Sequence, residues 1–276
     1  MMKKQLIMEK AVELFAEKGF ESTSIQQITE HCGISKGAFY LSFKSKDELI
    51  VALIDHFMME MTSNIDHIVR NTRNDRVLYE FYYAIYLSFQ KHSAFAKVLI
   101  KEQAHTFNEG FMEKMSFYDK LIDNLILTMI ERLYGQEAER IKYDLIFCIK
   151  GFMNTYSHLF LFYNIPIDLD LLAQSLVEKT NILASHAAIP YVSGDLAFIL
   201  KQTKNEEIPC EAIAQLIDQK IEEMEESIEK ESLVLLRQEF SSPSLSRAIV
   251  KGLIENLQSH PHCKWVSYLL RRHFQF

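Results

Sequence analysis

Few residues interrupt helical spacing in this chain, and this scarcity constrains the fold more than any other feature. Eight glycines and five prolines are spread over 276 residues, and apolar residues recur three and four positions apart nearly throughout. Such spacing places apolar side chains on one face of an α-helix, and no pair of strands is evident. The sequence therefore predicts an all-α protein, long enough for one large or two modest domains.

The stretch TSIQQITEHCGISKGAFYLSFKSK, at residues 23–46, carries the signals of two short helices joined by a tight turn. Thr23 followed by Gln26 predicts a capping box at the start of the first helix. Gly33 stands where the chain must turn, a position that a residue without Cβ occupies at little cost. Ser35 predicts the N-cap of the second helix. The stretch therefore predicts a helix-turn-helix unit.

The second of these helices is predicted to have a polar face made of Lys36, Gly37, Tyr40 and Ser42. These positions supply a cation, two hydroxyls and one site without a side chain, which suit a phosphate backbone. No acidic residue occurs between positions 31 and 46, so the local field is positive although the chain has a formal net charge of −7. The predicted partner of this surface is therefore a phosphate backbone.

The order of residues over positions 5–55 resembles the DNA-binding domain of TetR-family transcriptional regulators. The resemblance rests on AVELFAEKGF, TSIQQI, GISKGAFY and FKSKDEL, which follow one another without gaps. It implies a regulator that binds double-stranded DNA sequence-specifically, with a three-helix N-terminal domain followed by a larger helical effector-binding and dimerisation domain. A ligand-released repressor is the function that we expect.

The resemblance also implies which residues contact DNA. Thr23 and Ser24 correspond to the start of the supporting helix, and Lys46 corresponds to a phosphate contact. Leu41 and Ser42 stand where family members often have His or Tyr, so an operator sequence cannot be transferred from relatives. The predicted DNA-binding residues are Thr23, Ser24, Ser35, Lys36, Gly37, Tyr40, Leu41, Ser42 and Lys46.

The chain is predicted to divide into two domains. Residues 1–60 form the DNA-binding domain, with its motif at about 24–43, and residues 61–276 form the ligand-binding and dimerisation domain. No glycine or proline marks the boundary, because one helix is predicted from Asp47 to about Arg70. A continuous helix is a stiff connector, which can pass a displacement from one domain to the other.

Aromatic residues are dense between positions 75 and 164, and this density predicts an effector pocket between helices. Any single ring could equally belong to the core, but binding cavities are lined mostly by apolar and aromatic groups. The resemblance implies an effector in the same half of the chain. The predicted effector-binding residues are Tyr82, Tyr86, Phe111 and Tyr156.

The predicted effector is a small hydrophobic or lipophilic cationic molecule. Acidic residues at Glu80, Glu102, Asp119 and Asp123 could accompany a cation over the rings. They could equally face water.

Residues 141–163, reading IKYDLIFCIKGFMNTYSHLFLFY, are apolar on more than one side and must be covered. A second apolar helix follows at 169–187, and the resemblance implies that this helix pair forms a four-helix dimer interface. The sequence therefore predicts a homodimer. Its operator should be a near-palindrome with half-site centres roughly one helical turn, ~34 Å, or a little more apart.

The segment after about residue 193 exceeds the length usual for the family, so the resemblance implies no role for it. One amphipathic helix is predicted at 206–231, with an acidic face opposite an apolar one. The run SSPS at 241–244 predicts a turn, and the last helix follows. We expect added helices in the effector domain instead of a separate module.

Other classes of protein receive less support from the sequence. No paired carboxylates, catalytic Ser/His/Asp order or glycine-rich phosphate loop is evident, so neither an enzyme nor a cofactor is predicted. His260, His262 and Cys263 lack a second pair of ligands, so no metal site is predicted. An activator, an effector-independent DNA-binding protein and an enzyme acting on an apolar substrate are the alternatives.

The sequence also predicts the cellular compartment. The N-terminal stretch MMKKQLIMEKAVELF is interrupted by charges, and no run of eighteen apolar residues occurs. We therefore expect a cytoplasmic protein with neither a signal peptide nor a membrane partner.

Overall fold

The computed structural model describes residues 2–102, 109–163, 166–192, 210–258, 260 and 263–276. Within these ranges the chain forms helices and no strand, which confirms the all-α prediction. The α-helices are α1 Met2–Lys18, α2 Ile25–Cys32, α3 Lys36–Tyr40, α4 Lys46–Asn71, α5 Asn74–Lys91, α6 Ser93–Glu102, α7 Glu109–Tyr134, α8 Lys142–Phe162, α9 Leu169–His186, α10 Cys210–Glu223, α11 Ile228–Ser241, α12 Arg247–Gln258 and α13 Lys264–Phe274, with a 3-10 helix at Gly135–Ala138.

Helices α1 to α3 and the start of α4 pack around one apolar core, which we call the head. Ile7 and Phe15 enter this core from α1, Ile28 from α2, Phe39 from α3 and Leu49 from α4, and all five are buried. Residues spaced three and four apart on α1 share one face. Helix α1 therefore closes the core of the head with one apolar face.

Helix α2 starts one residue later than predicted. The Ser24 Oγ accepts a hydrogen bond from the Gln27 N–H at 3.2 Å, and the Gln27 Oε1 accepts one from the Ser24 N–H at 2.8 Å. The capping box is therefore Ser24 with Gln27, and the predicted box of Thr23 with Gln26 is wrong. The Thr23 hydroxyl instead donates to the Gly19 carbonyl at 2.7 Å and is buried.

The turn and the next two helix starts agree with the sequence. Gly33 has φ 66° and ends α2 in the left-handed region that favours glycine. The Ser35 Oγ accepts from the Ala38 N–H at 3.2 Å and caps α3. The Ser45 Oγ accepts from the Glu48 N–H at 3.0 Å and caps α4. Local hydrogen bonds thus fix the angle at which α3 leaves α2.

Helix α4 joins the head to the rest of the chain without a break, as predicted. Its 26 residues span about 39 Å at 1.5 Å per residue. The first turns belong to the core of the head, and the later turns pack against α5, α7 and α13. Any rotation or tilt of α4 therefore moves the head as a unit.

Helices α5 to α9 form the body, in which α5 packs against α8 and α9. Helices α10 to α13 form the C-terminal extension. The single helix predicted at 206–231 is wrong within the described residues, because α10 ends at Glu223 and Ser227 caps a new helix by accepting from the Lys230 N–H at 3.2 Å. Residues 206–209 lie outside the description. The predicted turn after Ser241 is confirmed.

Candidate nucleic-acid interface and effector region

Helix α3 has one buried side and one exposed side. Phe39 is fully buried, whereas the Tyr40 side chain is 53% exposed and its ring meets the Phe39 ring edge-on at 5.6 Å between centroids. Leu41, the residue that caps α3, is 91% exposed. The predicted DNA-binding residues on the exposed side are Ser35, Lys36, Gly37, Tyr40 and Leu41, with Ser42 partly buried beside them.

The exposed side of α3 is tied to α2 by a polar contact. The Lys36 Nζ donates to the Gln26 Oε1 at 3.3 Å, and the Gln26 Nε2 donates to the Glu30 Oε1 at 2.9 Å. Ser24, which caps α2, is exposed, but the buried Thr23 offers no hydroxyl to a ligand. The Thr23 hydroxyl is used within the head, and the DNA contact at Thr23 stays a prediction.

Lys46 is partly buried and its ammonium is bonded within the head, so the phosphate contact implied for it stays a prediction. Its Nζ donates to the carbonyl oxygens of Phe20 at 2.7 Å, Thr23 at 3.1 Å and Glu21 at 3.4 Å. The same Nζ lies 4.3 Å from the centroid of the Phe20 ring. A lysine ammonium has three N–H donors, and all three have acceptors here. Lys46 therefore holds the α1–α2 loop against the start of α4.

A cation that the sequence analysis did not single out, Lys4, lies close to the residues that follow α3. The Lys4 Nζ is 5.2 Å from the centroid of the Phe43 ring, directly after α3, and the Lys4 side chain is exposed. The paired lysines at the start of α1 were visible in the sequence. Their charge alone could not indicate that α1 brings Lys4 beside Phe43.

Two of the predicted effector-binding tyrosines belong to the core of the body. Tyr82 and Tyr86 are fully buried, and burial raises the pKa of both hydroxyls. The Tyr82 hydroxyl is 2.7 Å from the Thr180 Oγ1 on α9, and the Tyr86 hydroxyl donates to the Phe152 carbonyl on α8 at 2.9 Å. In this arrangement both rings are packed within the body, and their role in effector binding stays a prediction.

Of the other two predicted effector-binding residues, the structure describes the side chain of Tyr156 but not that of Phe111. Tyr156 on α8 is partly buried and packs against the core, and the nearby Phe160 is stacked on Tyr86 with ring centroids 5.7 Å apart. The side chain of Phe111 lies outside the described residues. Open aromatic surface is therefore found on α8 and not on α5 at Tyr82 and Tyr86.

The acidic residues proposed to accompany a cationic effector already have basic partners. Asp119 and Asp123 each lie 2.7 Å from the Lys150 Nζ, and Glu80 lies 2.8 Å from Arg76. The Glu102 side chain lies outside the part of the chain that the structure describes. The argument for a cationic effector is therefore weakened.

Within the described residues, two main connections attach the head to the body. One is α4, and the other is the packing of α1 against α6. The sequence indicated only the first, because contact between helices about 75 positions apart leaves no trace in local spacing. A rearrangement of α6 would therefore also act on the head.

These features define a class: a helix-turn-helix DNA-binding protein whose recognition helix is carried by a stiff connector. Residues 7–53 match the family model described as bacterial regulatory proteins, tetR family. The uncharacterized HTH-type transcriptional regulator YerO of Bacillus subtilis (strain 168) is 30% identical over 274 residues, which cover 92% of this chain and 89% of YerO. The chain belongs to the TetR family of transcriptional regulators.

Solved structures share the fold over part of the chain. FadR from Bacillus subtilis in complex with stearoyl-CoA has a TM-score of 0.56 and 16% identity, and the match covers 67% of this chain and 99% of FadR. AibR in complex with isovaleryl coenzyme A and operator DNA has a TM-score of 0.53 and 17% identity, and the match covers 64% of this chain and 97% of AibR. This chain is therefore substantially longer than either neighbour.

Proposed function

We propose that the protein is a ligand-released repressor that binds a near-palindromic operator as a homodimer. The observation that carries this proposal is α4, one unbroken helix with its first turns in the core of the head and its later turns in the body. An effector that favours one arrangement of the body would change the position of both recognition helices. DNA binding and effector binding would then be coupled through α4 and α6.

An apolar face on α8 and α9 supports the homodimer. Phe147 and Phe162 on α8, and Leu171 and Ile182 on α9, are each more than half exposed. Gly151 lies on the exposed side of α8, and a Cβ built there would meet nothing within 4 Å. Several large apolar side chains exposed on two packed helices are typical of an interaction site, and the glycine leaves room for a second backbone to approach.

Helix α8 is also the one described helix that could span a membrane by length and composition, although 33% of the scored segment is buried. The Lys150 ammonium, near the middle of α8, lies 2.7 Å from two carboxylates on α7. An ion pair at that depth is costly in lipid but acceptable beside a protein interface. We therefore assign the apolar surface of α8 to dimerisation.

Gly37 supports direct contact between α3 and DNA. Glycine inside a helix is less favourable than alanine by about 1 kcal/mol. A Cβ built at Gly37 would meet only the Ser35 Oγ, at 3.8 Å, which is ordinary van der Waals contact. Packing within the described chain therefore does not require glycine here. Close approach of a phosphate backbone would require it.

Gly37→Ala should accordingly stabilise the head by about 0.5–1 kcal/mol while weakening operator binding several-fold. The melting temperature and the operator affinity would be measured on the same preparation. Ala38, which is partly buried, offers a matched control: Ala38→Gly should lower stability and change affinity little. A Gly37→Ala variant with unchanged affinity would show that this position does not face DNA.

The effector that we propose is an apolar acyl compound and not a lipophilic cation. FadR and AibR, which share the fold, were solved with acyl-CoA molecules. Among the described residues, the carboxylates predicted to accompany a cation, Asp119, Asp123 and Glu80, are paired with Lys150 and Arg76. Tyr156 and Phe160 on α8 retain part of their surface and could contact an acyl chain.

An acyl-CoA that releases the protein should weaken operator binding by about 5–150-fold, which corresponds to about 1–3 kcal/mol of coupling. By linkage, the operator must weaken binding of the same acyl-CoA by the same factor. The operator would first be selected from random duplexes. Isovaleryl-CoA and stearoyl-CoA would then be titrated with and without it.

Coenzyme A without an acyl group is the matched control, because it keeps the nucleotide and phosphates but lacks the apolar chain. Equal affinity of an acyl-CoA in the two titrations would refute the coupling, since a ligand that binds both arrangements equally shifts nothing. Tighter operator binding in the presence of acyl-CoA would favour the activator alternative. We do not propose an enzymatic activity, because the family assignment and the proposed coupling account for the described features.

A further inference from the structure

The C-terminal extension reaches α4 through a buried ion pair. Asp66, in the last third of α4, is fully buried, and its carboxylate accepts hydrogen bonds from two arginines. The Arg70 Nε lies 2.7 Å from one carboxylate oxygen, and Arg271 on α13 donates to the other. Arg271 is itself buried, whereas the Arg70 side chain is 35% exposed. A charged group of the extension is thus buried against α4.

Further contacts align α13 along the same part of α4. The Lys264 Nζ donates to the Asn64 Oδ1 at 3.0 Å, and the Arg70 guanidinium donates to the Phe276 carbonyl at 3.5 Å. The two helices therefore run in the same general direction. Between these polar contacts, α13 buries apolar side chains at Val266, Leu269 and Leu270.

The energetics of a buried ion pair indicate what Arg271 contributes. Removing two charges from water costs about as much as their attraction returns, so such pairs add little net stability. Their best-supported role is to fix one register between packed helices, because any other register leaves a charge unpaired. Applied to α13, which packs against α4 and has buried apolar side chains, this would make the pair formed by Arg271 and Asp66 the contact that sets where on α4 the helix lies.

Helix α7 holds the C-terminal end of the same region of α4. Arg132 donates to the Val69 and Thr72 carbonyls and, at 2.7 Å, to the Asn74 Oδ1. These groups lie at the last turn of α4 and the start of α5. The end of α4 far from DNA is therefore fixed by one arginine from the body and one from the extension.

A fixed end matters because the other end carries the head. Asp66 lies 20 residues after Lys46, or about 30 Å along the helix axis. A tilt of about 5° at Asp66 would therefore move the Lys46 end by about 2–3 Å. In a dimer, two such movements change the separation of the recognition helices by an amount comparable to one base-pair step of DNA, ~3.4 Å.

We propose that Arg271 is a positioning residue for operator recognition: the extension fixes the pivot of α4 and thereby the spacing between the two recognition helices. This inference rests on the proposed homodimer. It gives the extension a role in operator selection, beyond adding helices to the effector domain.

The test measures the affinity of the full-length protein for two duplexes, the selected operator and the same operator with one base pair inserted between its half-sites. The wild-type protein should discriminate strongly between them. In Arg271→Met, Asp66 keeps Arg70 as its partner and the apolar stem of the side chain is retained. We expect this variant to bind the selected operator about 5–50-fold more weakly and to discriminate between the two duplexes at least threefold less.

The neighbouring Arg272 is exposed, so Arg272→Met is the matched control and should leave the discrimination unchanged. Arg271→Lys keeps the charge and one donor, and it should recover much of the discrimination. A variant that is only less stable has fewer active molecules, which lowers both affinities equally and leaves their ratio unchanged. An unchanged ratio in Arg271→Met would therefore overturn the proposal.

The double variant Asp66→Asn with Arg271→Met removes both members of the pair and leaves no buried charge unpaired. If the single variant folds poorly, the double variant can be used to compare the affinities for the two duplexes. An unchanged ratio of those affinities would again overturn the proposal. Wild-type binding that ignores the inserted base pair would instead count against the two-fold dimer. The two failures are therefore distinguishable, because one is observed in the variants and the other in the wild-type protein.

Discussion

The double variant Phe147→Glu with Ile182→Glu is expected to be monomeric at micromolar concentration and to bind its operator at least about 100-fold more weakly. Both side chains lie on the apolar face of α8 and α9, and they are 54% and 53% exposed in the single chain. Glutamates there would be buried without partners in a dimer, which is strongly unfavourable. A monomer engages one half-site and loses the gain from linked binding, about 10²–10⁴-fold.

Sedimentation at several protein concentrations would report the association state, and fluorescence anisotropy with labelled operator would report the affinity. Leu87→Glu is the matched control, because Leu87 is also exposed and apolar but lies on α5. It should leave both quantities unchanged. If the double variant remained dimeric, the interface would lie elsewhere on the body or the extension.

Replacement of Phe39 by alanine should have the largest effect on stability. Phe39 is fully buried in the head, with its ring 5.9 Å from the Phe43 ring and edge-on to Tyr40. Truncation of a buried phenylalanine typically costs about 3–5 kcal/mol, a large part of the stability of a small helical unit. We expect operator binding to be lost while the body remains folded and associated.

Thermal unfolding followed by circular dichroism should then show two transitions, the earlier one belonging to the head. Leu41→Ala is the control, because it removes a neighbouring apolar side chain that is almost fully exposed and should not change the melting temperature. A single transition at a lower temperature would mean that the head and body unfold as one unit. In that event, the domain boundary predicted near residue 60 would not separate independent folding units.

The sequence predicted the elements that local chemistry determines. Gly33 and Ser35 act within a few residues of their own positions, so the turn and the start of α3 could be recognised from the chain alone. The continuity of α4 followed from the lack of any helix breaker. The misplacement of the α2 cap had a local cause too, since Thr23 and Ser24 can both cap a helix. The Thr23 hydroxyl donates to the Gly19 carbonyl, which leaves Ser24 as the residue that caps α2.

The features that the sequence could not predict depend on partners distant along the chain. The ammonium of Lys46 finds its acceptors 23 to 26 positions away. The Tyr82 hydroxyl is paired with Thr180, 98 positions later. Asp66 and Arg271 are separated by 205 positions. Apolar spacing indicates which side of a helix is buried, but it does not indicate which polar groups are paired. In this chain, those pairings decide whether a residue belongs to the core or to a site.

The unbroken α4 also limits how this family can exchange parts. Many proteins recombine at flexible linkers, where the orientation of the joined modules is not fixed. Here any junction between head and body falls inside a helix, and each inserted residue turns everything beyond it by about 100° and advances it by about 1.5 Å. Only insertions close to whole turns, such as seven residues, nearly restore the helical phase. Viable chimaeras, natural or engineered, should therefore preserve the length of α4 or change it in such steps.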